Sequence, residues 1–183
     1  AIRCAADIAR AIAAGVALTL WSGGAMSADR PVIIAHRGAS AYLPEHTLPA
    51  KALAHAMGAD FIEQDVVLTR DGVPVVLHDI HLEATTDVAE RFPDRHRDDG
   101  HHYAIDFSLA EIRSLRARER RGADGQPVFP GRFPDNTGNF SVPTLAEEIA
   151  LIDGLNRSRG IEIGLYIEMK DSADDVFRAA EEL

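Results

Sequence analysis

The sequence predicts an α/β fold in which strands alternate with helices and neighbouring strands run parallel. Short β-branched segments alternate with stretches of helical spacing, and turn residues bound both kinds of segment. The 183 residues are sufficient for one domain with a substantial core. In such a fold, the strand ends at one edge of the sheet carry the functional side chains.

Residues 1–28 have the features of a targeting segment that precedes the fold. Arg3 and Arg10 give a basic start, an apolar run covers 11–21, and small residues dominate 22–28. These are the parts of a secretory signal peptide, and the apolar run is shorter than the roughly 20 residues that a membrane-spanning helix needs. We therefore expect an exported product without stable membrane insertion. An ordinary alanine-rich helix is the alternative.

The predicted fold occupies residues 31–183 and opens with strand, helix, strand and strand. The helix, 47–57, has Thr47 as its predicted N-cap and Gly58 as its C-terminal stop. The strands are predicted over 32–35, 61–69 and 73–77, and the apolar helix positions are Leu48, Ala52, Leu53 and Ala56. This spacing indicates parallel βα units.

Residues 85–141 interrupt the alternation and are predicted to be an insertion. They are polar and rich in proline, and they contain one predicted helix, 109–118, with Asp106 or Ser108 as its N-cap. The alternation then resumes with a helix over 144–155 that has Leu145, Ile149 and Ile152 on one face, a strand over 161–169 and the start of a helix over 173–183.

Ionisable residues mark all four predicted strands: His36 and Arg37 follow the first, Glu63 and Asp65 alternate on the second, His78 and Asp79 follow the third, and Glu168 and Lys170 lie at the end of the fourth. Residues two apart on a strand emerge on one face, so Glu63 and Asp65 should lie side by side. Unpaired carboxylates are costly on a strand buried on both sides. The pattern therefore favours a site at one rim of a parallel barrel over a solvated surface.

The residue types suggest what such a site could do. Glu63, Asp65 and Glu168 offer the oxygen ligands that Mg²⁺ and Ca²⁺ prefer. Arg37 is suited to bidentate phosphate binding and Lys170 to neutralising a phosphate as a point charge.

Of two histidines, His36 and His78, one could accept a proton while the other delivers one near neutral pH. Four other histidines are expected to be structural or surface residues: His55, His96, His101 and His102. The roles of His46 and His81, which lie beside motifs, are left open, as is the role of Glu45. The formal net charge of −10 argues against nucleic acid as a partner.

The motifs resemble those of the glycerophosphodiester phosphodiesterase family. Their order and spacing agree with it in His36-Arg37-Gly38 with Pro44-Glu45-His46-Thr47, Glu63-Gln64-Asp65, Val76-Leu77-His78-Asp79 and Glu168-Met169-Lys170. Ile167 stands where the family usually has proline. The stretches 87–95 and 103–107 resemble the insertion of the bacterial periplasmic branch.

The resemblance implies a TIM-type (β/α)8 barrel, of which this chain would hold about the first half plus the insertion and would be truncated at its C-terminus. It implies periplasmic hydrolysis of glycerophosphodiesters to glycerol 3-phosphate and an alcohol, with either a substrate hydroxyl or water as the first nucleophile. The implied roles are His36 and His78 as general acid and base, Arg37 and Lys170 as phosphate ligands, and Glu63, Asp65 and Glu168 as ligands of one divalent cation, Ca²⁺ in preference to Mg²⁺.

Two other functions stay open. A non-catalytic periplasmic binding protein for glycerophosphodiesters would use Arg37 and Lys170 in the same way to bind the phosphate, but it would need no histidine pair for proton transfer. A sphingomyelinase D-like phosphodiesterase has similar motifs. Such enzymes usually stabilise their loops with disulfides, whereas the single cysteine here, Cys4, lies in the predicted leader.

Overall fold

The computed structural model describes residues 30–132 and 138–170, and the compact fold begins at Val32. The predicted signal peptide and the predicted helix over 173–183 lie outside the described residues. The described strands are β1 (Ile34–Ala35), β2 (Phe61–Leu68), β3 (Pro74–Val76) and β4 (Gly164–Met169); the helices are α1 (Leu48–Met57), α2 (Val88–Arg91), α3 (Leu109–Ser114) and α4 (Leu145–Arg159). None of these helices has the length and apolarity that crossing a bilayer requires.

β2 lies at the centre of the sheet. Near its start, Phe61 has a parallel register partner on both β1 and β4. Further along, Val66 is paired with both β3 and β4. Because a strand has two edges, β1 and β3 share one edge of β2, and β4 occupies the other.

The prediction that segment 73–77 belongs to a parallel unit is wrong, since β3 runs antiparallel to β2. The physical reason is the short connection, 69–73: a parallel crossover takes about a dozen residues or more, whereas antiparallel strands can be joined by a short turn. The hairpin still returns the chain to the predicted site, because the Leu77 N–H donates to the Asp65 carbonyl oxygen over 3.0 Å.

α1 begins and ends as predicted but buries a different face. The Thr47 side chain accepts a hydrogen bond from the Ala50 N–H, and Gly58 caps the C-terminus in the left-handed conformation with φ 81°. The buried residues are Ala50, Lys51, Ala54 and His55. Half of this face is ionisable, so a pattern of apolar residues does not identify it.

α4 extends beyond its predicted end, to Arg159, and starts with a capping box. Ile152 is buried as predicted, but Ile149 is 41% exposed. Glu148 takes the inward position and is fully buried. It can do so because the Lys51 ammonium faces its carboxylate over 2.9 Å.

The predicted insertion contributes a packed hydrophobic core against the β2–β3 hairpin. Each large apolar side chain that is buried contributes about 1.5–3 kcal/mol, and the buried members are Val67, Val75, Leu77, Leu82, Val88, Ala104, Phe107, Ile112, Leu115 and Val142. Ser108 is the N-cap of α3, which ends at Ser114, short of its predicted end. A second cluster, which includes Ala54, Ile62, Ile152 and Ile163, holds α1 and α4 to the sheet. The domain limits remain predictions.

Candidate active site

Two buried carboxylates lie side by side on β2. Glu63 and Asp65 alternate on the strand and so point to one face, and their exposed fractions are 3% and 0%. One carboxylate oxygen of each and one ring nitrogen of His46 lie within 4.8 Å of one another. The structure thus brings together two of the three predicted metal ligands and adds a histidine whose role the sequence left open.

Asp65 is surrounded by hydrogen-bond donors and cations. Its Oδ2 lies 2.9 Å from His46 Nε2 and 3.7 Å from Arg37 Nε, and its Oδ1 lies 3.1 Å from Lys170 Nζ. Burial alone would raise the pKa of Asp65, but the His46 hydrogen bond and the Lys170 contact outweigh it, so that the pKa is lowered. Asp65 is therefore a carboxylate at neutral pH.

Glu63 has the opposite electrostatic balance. Burial, assisted by the neighbouring negative charge of Asp65, raises the pKa of Glu63 to about 7, although the hydrogen bond from the Arg37 backbone N–H opposes this. That N–H lies 2.6 Å from Glu63 Oε2. The pair consequently combines one stable anion with one carboxyl that would gain from a nearby cation.

Glu168, the third predicted ligand, lies directly opposite Asp65 on the neighbouring parallel strand. Its side chain is 54% exposed and lies outside the close group of Glu63, Asp65 and His46. The Lys170 ammonium connects the two carboxylates, at 2.5 Å from Glu168 Oε1 and 3.1 Å from Asp65 Oδ1. Glu168, on β4, and Lys170, directly after it, thus lie beside Asp65.

Arg37 is held by a carboxylate that the sequence left undecided. Its backbone is left-handed, with φ 61°, and its Nη1 donates to Glu45 Oε1 over 3.0 Å. Arg120 donates to the same carboxylate over 2.7 Å and to Asp79 Oδ2 over 2.5 Å. A chain of alternating charges therefore connects Arg37 to Asp79. Sequence reasoning missed Arg120, because no local pattern relates it to partners so far away in the chain.

The two predicted acid/base histidines arrive at β2 from opposite directions along one edge. His36 follows β1, whose last residue is paired with Ile62, and His78 follows Leu77, whose N–H binds the Asp65 carbonyl oxygen. His36 is exposed. His78 is partly exposed, and its Nδ1 lies 2.5 Å from Asp79 Oδ1.

The donor set fits a hard divalent cation. Asp65 Oδ1 is buried and has no hydrogen-bond partner among the described residues, although Lys170 pairs with it as an ion. Two adjacent buried carboxylates need compensating positive charge. Oxygen ligands without thiolates suit Mg²⁺ or Ca²⁺.

Fold and site together define an α/β protein with a candidate cation and phosphate site on the neighbouring parallel strands β2 and β4. The comparison with protein families makes this specific. The chain belongs to the glycerophosphoryl diester phosphodiesterase family, whose model matches residues 36–180. The family predicted from the motifs is confirmed, and the periplasmic branch stays a prediction.

Two curated relatives are glycerophosphodiester phosphodiesterases. The chain is 51% identical over 148 residues to a glycerophosphodiester phosphodiesterase of Haemophilus influenzae, covering 79% of this chain and 40% of that protein. It is 44% identical over 161 residues to one of Treponema pallidum, covering 84% and 45%. The chain therefore spans less than half the length of these relatives.

Solved structures confirm the fold class. A glycerophosphodiester phosphodiesterase from Agrobacterium tumefaciens matches with 31% identity and a TM-score of 0.53, over 82% of this chain and 54% of that one. A phosphodiesterase from Oleispira antarctica, solved in complex with the product sn-glycerol-3-phosphate, matches with 31% identity and a TM-score of 0.56, over 83% and 51%. The chain has the fold of part of a TIM-type barrel.

Proposed function

We propose that the full-length protein hydrolyses glycerophosphodiesters to glycerol 3-phosphate and an alcohol with the help of a divalent cation. The observation that carries the proposal is the buried pair Glu63 and Asp65, with Arg37 and Lys170 beside it. This arrangement occurs in a chain that belongs to a family of phosphodiesterases.

Glu63, Asp65 and Glu168 would hold the cation. The first two come from β2, and the third comes from the adjacent position of β4. When bound, the cation would polarise a phosphoryl oxygen and offset the negative charge that builds on it. We propose Ca²⁺, because it accepts six to eight oxygen ligands in flexible geometry, whereas Mg²⁺ demands a near-ideal octahedron.

His36 and His78 would serve as general acid and base. The contact between His78 Nδ1 and the Asp79 carboxylate leaves Nε2 to face the substrate. Arg120 in turn holds Asp79, so His78 is oriented by two further side chains. His36, which is exposed at the end of β1, can approach the substrate from the other direction along the edge of β2.

Arg37 and Lys170 would bind the phosphodiester group. Lys170 Nζ lies between Asp65 and Glu168, where its charge can attract a phosphate beside the cation. Arg37 is held on one side by Glu45, which limits its rotation and orients its planar guanidinium group.

The proposal is tested with the full-length protein and glycerophosphocholine, by measuring glycerol 3-phosphate release with Ca²⁺ and after chelation with EDTA. We expect release with Ca²⁺, its loss on chelation, and its recovery when Ca²⁺ is restored. Asp65→Asn should abolish the Ca²⁺-dependent release, and Asp98→Asn, at an exposed position, is the matched control.

The same assay separates the two alternatives. Binding of glycerophosphocholine without release would favour a binding protein. Release of choline from sphingomyelin, with no action on glycerophosphocholine, would favour a sphingomyelinase D-like enzyme. No observation in the described residues favours either one.

Export to the periplasm is a separate proposal, supported by the composition of residues 1–28. Full-length protein made in a Gram-negative host should be recovered from the periplasmic fraction, cleaved near Ser27 or Ala28 as a signal peptide predicts. A version without this segment should stay in the cytoplasm. Recovery of the uncleaved protein from the cytoplasm would contradict the proposal.

A further inference from the structure

A fully buried lysine, Lys51, lies directly behind the two carboxylates of the candidate site. Lysine is almost never fully buried without partners, and the side chain of Lys51 is 0% exposed. Its Nζ lies 2.9 Å from Glu148 Oε1 and 3.2 Å from His46 Nδ1, and it also donates to the backbone carbonyl oxygen of Glu63. The Glu148 carboxylate pairs with the ammonium as an ion, and the other two groups accept hydrogen bonds from it.

The contact with Lys51 determines which nitrogen of His46 carries the proton. An ammonium can only donate, so Nδ1 of the neutral imidazole must be the acceptor. The hydrogen is then on Nε2, which lies 2.9 Å from Asp65 Oδ2 and donates to it. Both ring nitrogens are occupied in this arrangement. His46 is therefore a hydrogen-bond donor to Asp65, although one of its nitrogens lies close enough to be counted among possible ligands.

We infer that Lys51 is a positioning residue for the cation site. It reaches Asp65 through His46, so that Oδ2 is held by the protein and Oδ1 is presented to the cation. It reaches Glu63 directly through the backbone carbonyl. The inference rests on the proposed function, in that Glu63 and Asp65 are taken as ligands. Groups that orient metal ligands in this way typically change metal affinity by about 10–100-fold.

Glu148 supplies the counter-charge, and it dictates how the test must be built. Glu148 and Lys51 are both fully buried, on α4 and α1. Removing one of them leaves an uncompensated buried charge and destabilises the fold. The double variant Lys51→Met with Glu148→Gln removes both charges together, so the loss of positioning can be measured with less damage to the fold.

His55 provides the control for a role that is merely structural. It lies one turn after Lys51 on the same buried face of α1, and its ring contacts Asn156 and Arg159 instead of the site. His55→Leu therefore disturbs the same packing between α1 and α4 without touching His46 or Asp65.

The decisive experiment measures Ca²⁺ affinity by calorimetry, and free energy of unfolding, in full-length protein. The double variant should lose about 10–100-fold in Ca²⁺ affinity, whereas His55→Leu should bind Ca²⁺ as the wild type does. Adding His46→Gln to the double variant should recover part of the loss, because a glutamine amide can donate to Asp65 without help from Lys51. Wild-type affinity in the double variant, or an equal loss in His55→Leu, would overturn the inference.

A second readout does not depend on metal binding. The imidazole ¹⁵N shifts of His46 should report the Nε2–H form in the wild type and a mixture of both forms in the double variant. A wild-type His46 that carries its proton on Nδ1 would overturn the inference whether or not the protein binds Ca²⁺. If the wild type shows the expected form but binds no Ca²⁺, the proposed metal function fails, and the inference that Lys51 positions a cation ligand fails with it.

Discussion

His36 and His78 belong to chain segments that approach the same short stretch of β2 from opposite directions. β1 ends beside Ile62, and the hairpin strand returns as far as Asp65, on the same edge. Glu63 lies between these two positions. The antiparallel hairpin thus brings His78 to the site by a different route from the parallel unit that the sequence suggested.

This arrangement predicts a strong effect of each histidine on turnover. His36→Ala and His78→Ala should each lower kcat by about 10²–10⁴-fold, because each removes a proton-transfer group. Ca²⁺ affinity should change little, since neither histidine is a proposed ligand. Steady-state kinetics and calorimetry on full-length protein check both statements. His96→Ala, at an exposed position, is the control, and near-normal kcat in either active-site variant would assign that histidine a structural role.

The register partners Asp65 and Glu168 predict a shared cation. Glu63→Gln, Asp65→Asn and Glu168→Gln should each weaken Ca²⁺ binding, with the largest loss at Asp65, which is fully buried and ionised. We expect the Glu168 variant to lose least, because its side chain is more than half exposed. Calorimetric titration measures the order. Unchanged Ca²⁺ affinity in Glu168→Gln would remove Glu168 from the ligand set.

Elements set by local rules could be predicted from the sequence. The caps of α1 and α4 follow from Thr47, Gly58 and Thr144, because capping depends on residues within a turn of the helix end. The ionisable residues on and directly after the strands could also be recognised, because each lies within or next to its strand in the sequence. The antiparallel direction of β3 could also have been predicted, since the connection 69–73 is too short for a parallel crossover.

Contacts between distant residues could not be predicted in this way. A lysine and a glutamate such as Lys51 and Glu148 are each expected on a solvated helix face, because an unpaired buried charge destabilises the fold. Their burial is tolerated only because the two charges are paired with each other. Arg120 lies in the predicted insertion, yet it holds Glu45 and Asp79 at the site. No local spacing rule relates these residues, so only the folded arrangement reveals them.

The capping box of α3 predicts how stability depends on pH. Hydrogen bonds from Arg95 and from the Ser108 N–H lower the pKa of Glu111 to about 2, from an ordinary value of 4.5. A lowered pKa stabilises the folded state above pH 4.5, and this contribution is lost as the pH falls from about 4.5 to about 2. Because the pair with Arg95 lies near the surface, we expect about 1 kcal/mol at pH 7.

Glu111→Gln isolates the charge, because glutamine can also complete a capping box. Urea unfolding of the full-length wild type and variant should show the variant less stable at pH 7, with the difference shrinking as the pH falls below 4.5. Asp98→Asn, at an exposed position, should show little difference at either pH. A difference for Glu111→Gln that persists unchanged at low pH would contradict the electrostatic explanation.

The pairing of Arg37 with Glu45 sharpens the test of the phosphate site. The alternative to a role in phosphate binding is a structural role, in which Arg37 only holds a neighbouring carboxylate. Arg37→Lys keeps the charge but loses the fork that can bind Glu45 and a phosphate together, so kcat/KM should fall by about 10–10³-fold. Lys170→Arg should be milder, because Lys170 acts as a point charge between two carboxylates. Arg113→Lys, which alters an exposed pair with Glu147, is the control for the loss of a guanidinium. Unchanged kinetics with a lower free energy of unfolding in Arg37→Lys would favour the structural explanation.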